Sequence, residues 1–119
     1  MKAFQRITGF VLVIAMLLVM LPLSAPKVKA ASNADTIFEY LVTNMGLTPA
    51  AACGVLANIE HESNFNPNIV GDYGTSYGIC QWHNERYTAL RNYCSSHGYS
   101  YTSLDGQLHY LQYELEHSY

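Results

Sequence analysis

Basic residues are scarce in this chain: there are six Lys and Arg in 119 residues, and Lys2, Arg6, Lys27 and Lys29 all fall within the first thirty. Beyond that point Arg86 and Arg91 alone face all nine Asp and Glu residues, a formal balance of −7. Such a surface lacks the clustered cations that hold nucleic acid or an anionic membrane, so neither is an expected partner. Cysteine is sparse as well. Cys53, Cys80 and Cys94 permit one bridge and leave one thiol over in an exported chain. Neither Cys53 nor Cys80 sits in a recognisable peptidase motif, which argues against a nucleophilic thiol. His61-Glu62 begins a His-Glu-x-x-His zinc signature, but position 65 is Phe, and His83, His97, His109 and His117 show no ligand spacing. No metal and no cofactor is expected. Repeats, low-complexity tracts and linkers are missing too, and the roughly 89 residues after the first thirty suffice for one small core.

Only one long apolar run is present. Met1-Lys2 and Arg6 precede an almost wholly apolar Ile7 to Leu23, and Val28-Lys29-Ala30 supplies the small residue a signal peptidase needs. Residues 1–30 therefore read as a secretory signal cleaved after Ala30 or Ala31. The run is short for a membrane span of about 20 residues, which disfavours an uncleaved anchor. The expected product is a secreted, extracellular monomer acting at a cell wall, with no membrane association after cleavage. It comprises residues 31–119, and the absence of an evident C-cap at Tyr119 leaves open that the domain is cut from a longer product.

What is present is helical patterning interrupted by one polar block. Ser32 or Asn33 can cap a helix reaching about Met45, with Ile37, Phe38, Leu41 and Met45 inward and Gly46 as its stop. Thr48 caps a second helix with Pro49 in its first turn, and Val55, Leu56 and Ile59 form its apolar stripe as far as Glu62 or Ser63. Asn64 to Gln81, rich in Asn, Gly, Ser and Tyr, reads as loop or a short irregular hairpin. A third helix, Arg86 to His97, points Tyr87, Leu90 and Cys94 inward and closes at Gly98. Thr102 and Asp105 resemble a capping box before a last helix with the stripe Leu104, Leu108, Leu111, Leu115. If the second and third helices pack antiparallel, Cys53 with Cys94 is the preferred disulfide.

Glu62 is the residue this pattern singles out. It follows Ile59 by three positions, so it falls beside the end of an apolar stripe just where Pro67 and the Asn-rich run stop the helix. Apolar walls disfavour an ionised carboxyl, and a Glu so placed can keep a proton and deliver it to a leaving oxygen. Glu60, two positions away, falls on the opposite face. Asp72 is the one acidic residue of the loop block; it either holds the attacking water of an inverting hydrolysis or shapes a Gly-rich turn. Tyr73, Ser76, Tyr77, Gln81 and Trp82 are candidate sugar contacts, although Tyr77 and Trp82 fit a core equally well. His83 is a candidate for the edge of a groove, and Arg86 and Arg91 read as helix-surface charges.

These residues also carry a resemblance. Glu62-Ser63-Asn64-Phe65-Asn66-Pro67 resembles the Glu-Ser-x-Phe-Asn-Pro signature of lysozyme-like lytic transglycosylases, and Gly78-Ile79-Cys80-Gln81 resembles their Gly-Leu-Met-Gln segment. Gly46-Leu47-Thr48-Pro49, Gly74-Thr75-Ser76-Tyr77-Gly78, Gln81-Trp82-His83 and the helix from Gln107 to Leu115 make the chain more closely similar to the phage tail lysozyme family, from about Thr36 to Leu115. The resemblance implies an α+β, mostly α-helical, lysozyme-like fold with a loop or short-hairpin lobe after the catalytic helix. It further implies peptidoglycan as substrate, cleavage of the β-1,4 bond between N-acetylmuramic acid and N-acetylglucosamine, Glu62 as the catalytic acid with Ser63 beside it, and Ser76, Gly78 and Gln81 lining the groove. Cys80 at a Met-like position, and Gly106 with Tyr110-Leu111 off register, depart from the transglycosylase pattern. A lytic transglycosylase using the same Glu, and a non-catalytic wall- or chitin-binding module, are the rival readings.

Overall fold

A computed structural model describes residues 31–118, and the expected signal segment lies outside the described residues. The architecture is mostly helical with one small antiparallel sheet, an α+β arrangement consistent with the lysozyme-like fold. Helix α1 (Asn33–Glu39) starts on a full capping box, in which the Ser32 hydroxyl accepts from the Asp35 N–H while Asp35 accepts from the Ser32 N–H. Its continuation, Tyr40–Asn44, is a π-helical turn in which the Met45 N–H reaches back five residues to the Tyr40 carbonyl. The wider turn keeps both Tyr40 and Leu41 inside the core.

Helix α2 (Pro49–Ser63) has Thr48 as its N-cap and Pro49 at its first position. It ends at Asn64 in the left-handed conformation, the C-terminal cap geometry that Asn tolerates better than most residues. The polar block that follows is a three-stranded meander: β1 (Val70–Gly71), a 3₁₀ turn (Asp72–Gly74), β2 (Ser76–Tyr77) and β3 (Trp82–His83). Ser76 lies directly opposite His83, and Tyr77 opposite Trp82. Helix α3 (Glu85–His97) leaves the end of β3 and packs against α4 (Leu104–Ser118), while α1 packs on α2. One core joins them, centred on Ile37, Leu41, Ile59, Ile79, Trp82, Leu90 and Leu108.

Several local expectations shift. Ser103, not Thr102, caps α4, its hydroxyl accepting from the Gly106 N–H. The buried face of α4 comprises Gly106, Gln107, Leu108, Tyr110, Leu111 and Glu114, and Leu115 is exposed. A stripe of leucines was the strongest apolar signal, but the helix turns its polar Gln107 and Glu114 inward because both find partners there. The three cysteines are free thiols, so the expected Cys53–Cys94 bridge is not formed: Cys53 is exposed on α2, whereas Cys94 is buried with its Sγ against the Gly106 carbonyl. Among the described residues no helix is long and apolar enough to cross a membrane, and no cluster of three or more metal-ligating side chains occurs.

Candidate active site

Glu62 is the penultimate residue of α2, and its placement follows from the way the helix is stopped. Ser63, buried at the last helical position, shares its one hydroxyl proton between the Ile79 carbonyl at 2.9 Å and the Ile59 carbonyl of its own helix. That bond bolts the end of α2 to the turn between β2 and β3. Glu62 then borders a pocket of about 220 Å³ lined by Val55, Asn58, Ile59 and Cys80. The apolar stripe of α2 does meet the carboxylate there, as its spacing suggests. It does not shield it, however: Glu62 is exposed at the rim. The residue sits one step past the stripe at a helix end, where no further turn covers it. Its carboxylate makes no hydrogen bond or ion pair with another described residue.

The other wall of this pocket is Cys80. Burial pushes its thiol up to about 12, with Glu114 and Glu62 acting in the same direction and Arg86 against them. A thiol held that high is mostly protonated at neutral pH, which argues against Cys80 as a nucleophile. Arg86 and Glu114 form a two-point ion pair, Arg86 Nε to Glu114 Oε2 at 3.2 Å and Nη2 to Oε1. Glu114 is buried and Arg86 half-exposed. Arg86 is thus not the plain surface charge its sequence context suggests. Arg91 lies over the Tyr87 ring, 4.6 Å from its centre.

Asp72 belongs to a different cluster. Its Oδ2 accepts from the Ser76 hydroxyl at 2.5 Å and lies 3.7 Å from His83 Nδ1. The strand register brings this about, since Ser76 and His83 are cross-strand partners and Asp72 sits in the turn four residues before Ser76. Asp72 and Tyr73 both have positive φ, 49° and 56°, a strained state for residues with side chains. That turn throws the Tyr73 ring fully into solvent. No hydrogen bond joins Asp72 to Glu62. The two carboxylates are related instead through the frame that runs from Ser63 to Ile79 and along β2.

The remaining residues expected to contact substrate are mostly interior. Ser63, Ser76, Tyr77, Gly78 and Trp82 are all buried. Trp82 packs against Tyr110 with ring centres 5.5 Å apart, and Tyr77 stacks on Tyr87 while donating its hydroxyl to Asn68 Oδ1. Gln81, half-buried, turns its amide inward to the carbonyls of Ile69 and Gly78. A Cβ at Gly71 would come within 2.2 Å of that amide's oxygen, so Gly71 makes room for it. These polar residues are drawn inward because the hairpin strands are two residues long and cannot satisfy their own backbone groups. Tyr73 and His83 are the exposed members of the set.

Gln107 is the residue that sequence reasoning missed. Fully buried, it accepts from the Ile79 N–H through Oε1 and donates through Nε2 to the carbonyls of Pro67 and Tyr101. One amide so fastens the chain after α2, the turn carrying Ile79 and Cys80, and the approach to α4. Gly78 has φ 85°, and a Cβ there would lie 2.6 Å from Gln107 Oε1, so only glycine fits. The available signal was a Gln among leucines in an otherwise amphipathic helix, which by itself reads as surface.

The profile of the phage tail lysozyme family matches residues 32–119. Morphogenesis protein 1 of Bacillus phage B103 is 31% identical over 91 residues, covering 72% of this chain and 24% of that protein. The chain thus spans about a quarter of that relative's length. With the family profile matching nearly the whole of the described domain, the chain belongs to the phage tail lysozyme family.

Proposed function

We propose that the protein is a peptidoglycan hydrolase that cleaves the β-1,4 bond between N-acetylmuramic acid and N-acetylglucosamine, with Glu62 as general acid and Asp72 as the carboxylate that holds the attacking water. Membership of a lysozyme-like, peptidoglycan-degrading family supports the general reaction. The observation that carries the assignment is Glu62 itself: a carboxylate without internal partners, at the end of α2, on the rim of a pocket walled by Val55, Ile59 and Cys80. A glycan strand laid over those side chains covers the carboxyl and expels its water. There Glu62 is placed to pass a proton to the leaving oxygen. Asp72, hydrogen-bonded on one oxygen only, then activates water from the far side of the sugar ring, which requires the two carboxyls to stand about 6.5–9.5 Å apart. Tyr73 offers an exposed ring for stacking against a sugar face.

Purified cell walls cleared by the wild type and not by Glu62→Gln fit this role, since the substitution keeps shape and removes the acid; the expected loss is about 100-fold or more. Clearing that survives the change removes Glu62 from the mechanism and favours a binding module. Product masses separate hydrolysis from transglycosylation, because anhydro-muropeptides lack one water. We further propose that the chain acts outside the cell as a monomer after loss of residues 1–30. Its two cations are already engaged, Arg86 by Glu114 and Arg91 by Tyr87, so it holds anionic wall polymers weakly.

A further inference from the structure

With Asp72 as a carboxylate, the hydroxyl and imidazole groups around it have one consistent arrangement of hydrogens. Thr75 has a single hydroxyl proton, and it is donated to the Asp72 carbonyl at 2.7 Å. Ser76 likewise has one, and it goes to Asp72 Oδ2. Both hydroxyl oxygens nevertheless lie against His83 Nδ1, Ser76 at 2.9 Å and Thr75 at 3.2 Å. Having no proton left to give, each can only accept, so Nδ1 carries the hydrogen and shares it between them. On the other side of the ring, Asn84 Nδ2 lies 2.8 Å from His83 Nε2 and donates to it, which fits the same tautomer. Asn84 occupies the N-cap position of α3 and yet makes no side-chain cap there. Its amide is spent on His83 instead.

We infer that Ser76 and His83 are positioning residues that form a directed relay, His83 Nδ1–H to Ser76 Oγ–H to Asp72 Oδ2, which fixes the orientation of the Asp72 carboxylate and leaves Oδ1 open for water. Ser76 is fully buried, so its hydroxyl reaches Asp72 from inside the fold. Asp72 Oδ1 accepts from no described residue. The carboxylate stands on a strained, exposed turn with Ser76 as its hydrogen-bonding side chain, and a hydroxyl polarised by an imidazole donor is a stronger hydrogen bond to it than a hydroxyl alone. The inference rests on the reading of Asp72 as the water-holding carboxylate.

The test uses the full chain and purified peptidoglycan sacculi, with kcat and KM read from released reducing ends and a thermal melt as folding control. Ser76→Ala is expected to lower kcat about tenfold, the effect of losing one hydrogen bond to a charged group, with KM unchanged. His83→Phe is expected to give a smaller drop in kcat alone, and His83→Asn, whose amide N–H can stand in for Nδ1–H, to restore it. In an Asp72→Asn background neither Ser76→Ala nor His83→Phe should cost anything further, because a relay acts only through its terminus. Wild-type kcat in folded Ser76→Ala or His83→Phe, or a full additive loss in the Asp72→Asn background, overturns the relay while the role of Asp72 stands. Wild-type kcat in Asp72→Asn by itself overturns the role of Asp72 and the relay with it. If Ser76→Ala does not fold, the half-exposed His83 positions decide the question.

Discussion

The two carboxylates of the site are held by opposite means. Glu62 has no bonded partner among the described residues and owes its position to the backbone of a fifteen-residue helix, bolted at Ser63. Asp72 sits on a three-residue 3₁₀ turn with strained backbone and owes its position to side chains, Ser76 directly and His83 behind it. A helix fixes a residue through its own hydrogen bonds, so the side chain at its end is left free for chemistry. A turn between two-residue strands has no such support, and polar side chains must supply it. The difference predicts where each carboxylate is vulnerable: Glu62 to changes in its own chemistry, Asp72 to changes in its neighbours.

Gln107→Leu should sharpen that contrast most, because the amide ties the hairpin turn to two other segments and touches α2 only through Pro67 beyond its end. Three backbone groups lose their partner in the interior, a cost of about 3 kcal/mol or more, readable by chemical denaturation. Hydrogen exchange should rise at Ile79 and across the turn before it rises within α2; uniform loosening of both would break the contrast. Arg86→Ala comes next. It leaves the buried Glu114 carboxylate with Tyr110 but without its counter-ion, and because Arg86 is itself half-exposed the expected cost is about 2 kcal/mol, with most of it recovered when Glu114 is also replaced by Leu. A double variant no more stable than Arg86→Ala would show that Glu114 does more than pair with it.

Alkali should act on the core that backs both carboxylates. Burial raises the Tyr40 and Tyr110 hydroxyls to about 12, with Tyr110 pushed further by Glu114. For a neutral acid whose folded value lies above its unfolded one, the folded state keeps protons that the unfolded state has lost. The stabilisation is therefore complete below about pH 10 and is lost as the pH rises from about 10 to about 12. A melting temperature flat across that window would contradict the burial of these rings. The smallest effect is chemical. A thiol-specific reagent should label the exposed Cys53 readily at neutral pH in the folded protein and leave Cys80 and Cys94 untouched until unfolding. Fast reaction at Cys80 would mean that the pocket beside Glu62 is more open than its lining indicates.

Residues 31–118 show which features a sequence pattern can carry. Ser32, Thr48, Pro49, Gly46 and Gly98 act within a few residues of themselves, and the helix ends they mark lie close to those observed. Glu62 was legible for the same reason, since its place relative to Ile59 is set by helical pitch. The π-helical turn at Tyr40–Asn44 was not legible, and the α4 cap lies one residue past the Thr102 that the sequence pattern marks. The apolar stripe of α4 pointed to Leu115, but Glu114 is inside because Arg86 on α3 meets it.

What the sequence by itself determined is therefore local and periodic: the helices and their stops, the acidic balance, the lack of a metal motif, and Glu62 at the end of an apolar stripe. Only the tertiary structure decided what the polar residues between the helices do. It placed Ser63, Ser76, Tyr77 and Trp82 inside the fold, left Cys53 and Cys94 as free thiols, and joined Ser76 and His83 to Asp72. The physical reason is that periodicity fixes which face of an element a residue is on. Which hydroxyl, amide or imidazole satisfies which buried group depends on partners as many as 40 residues away, as Gln107 and Pro67 are, and that is settled only when the elements pack.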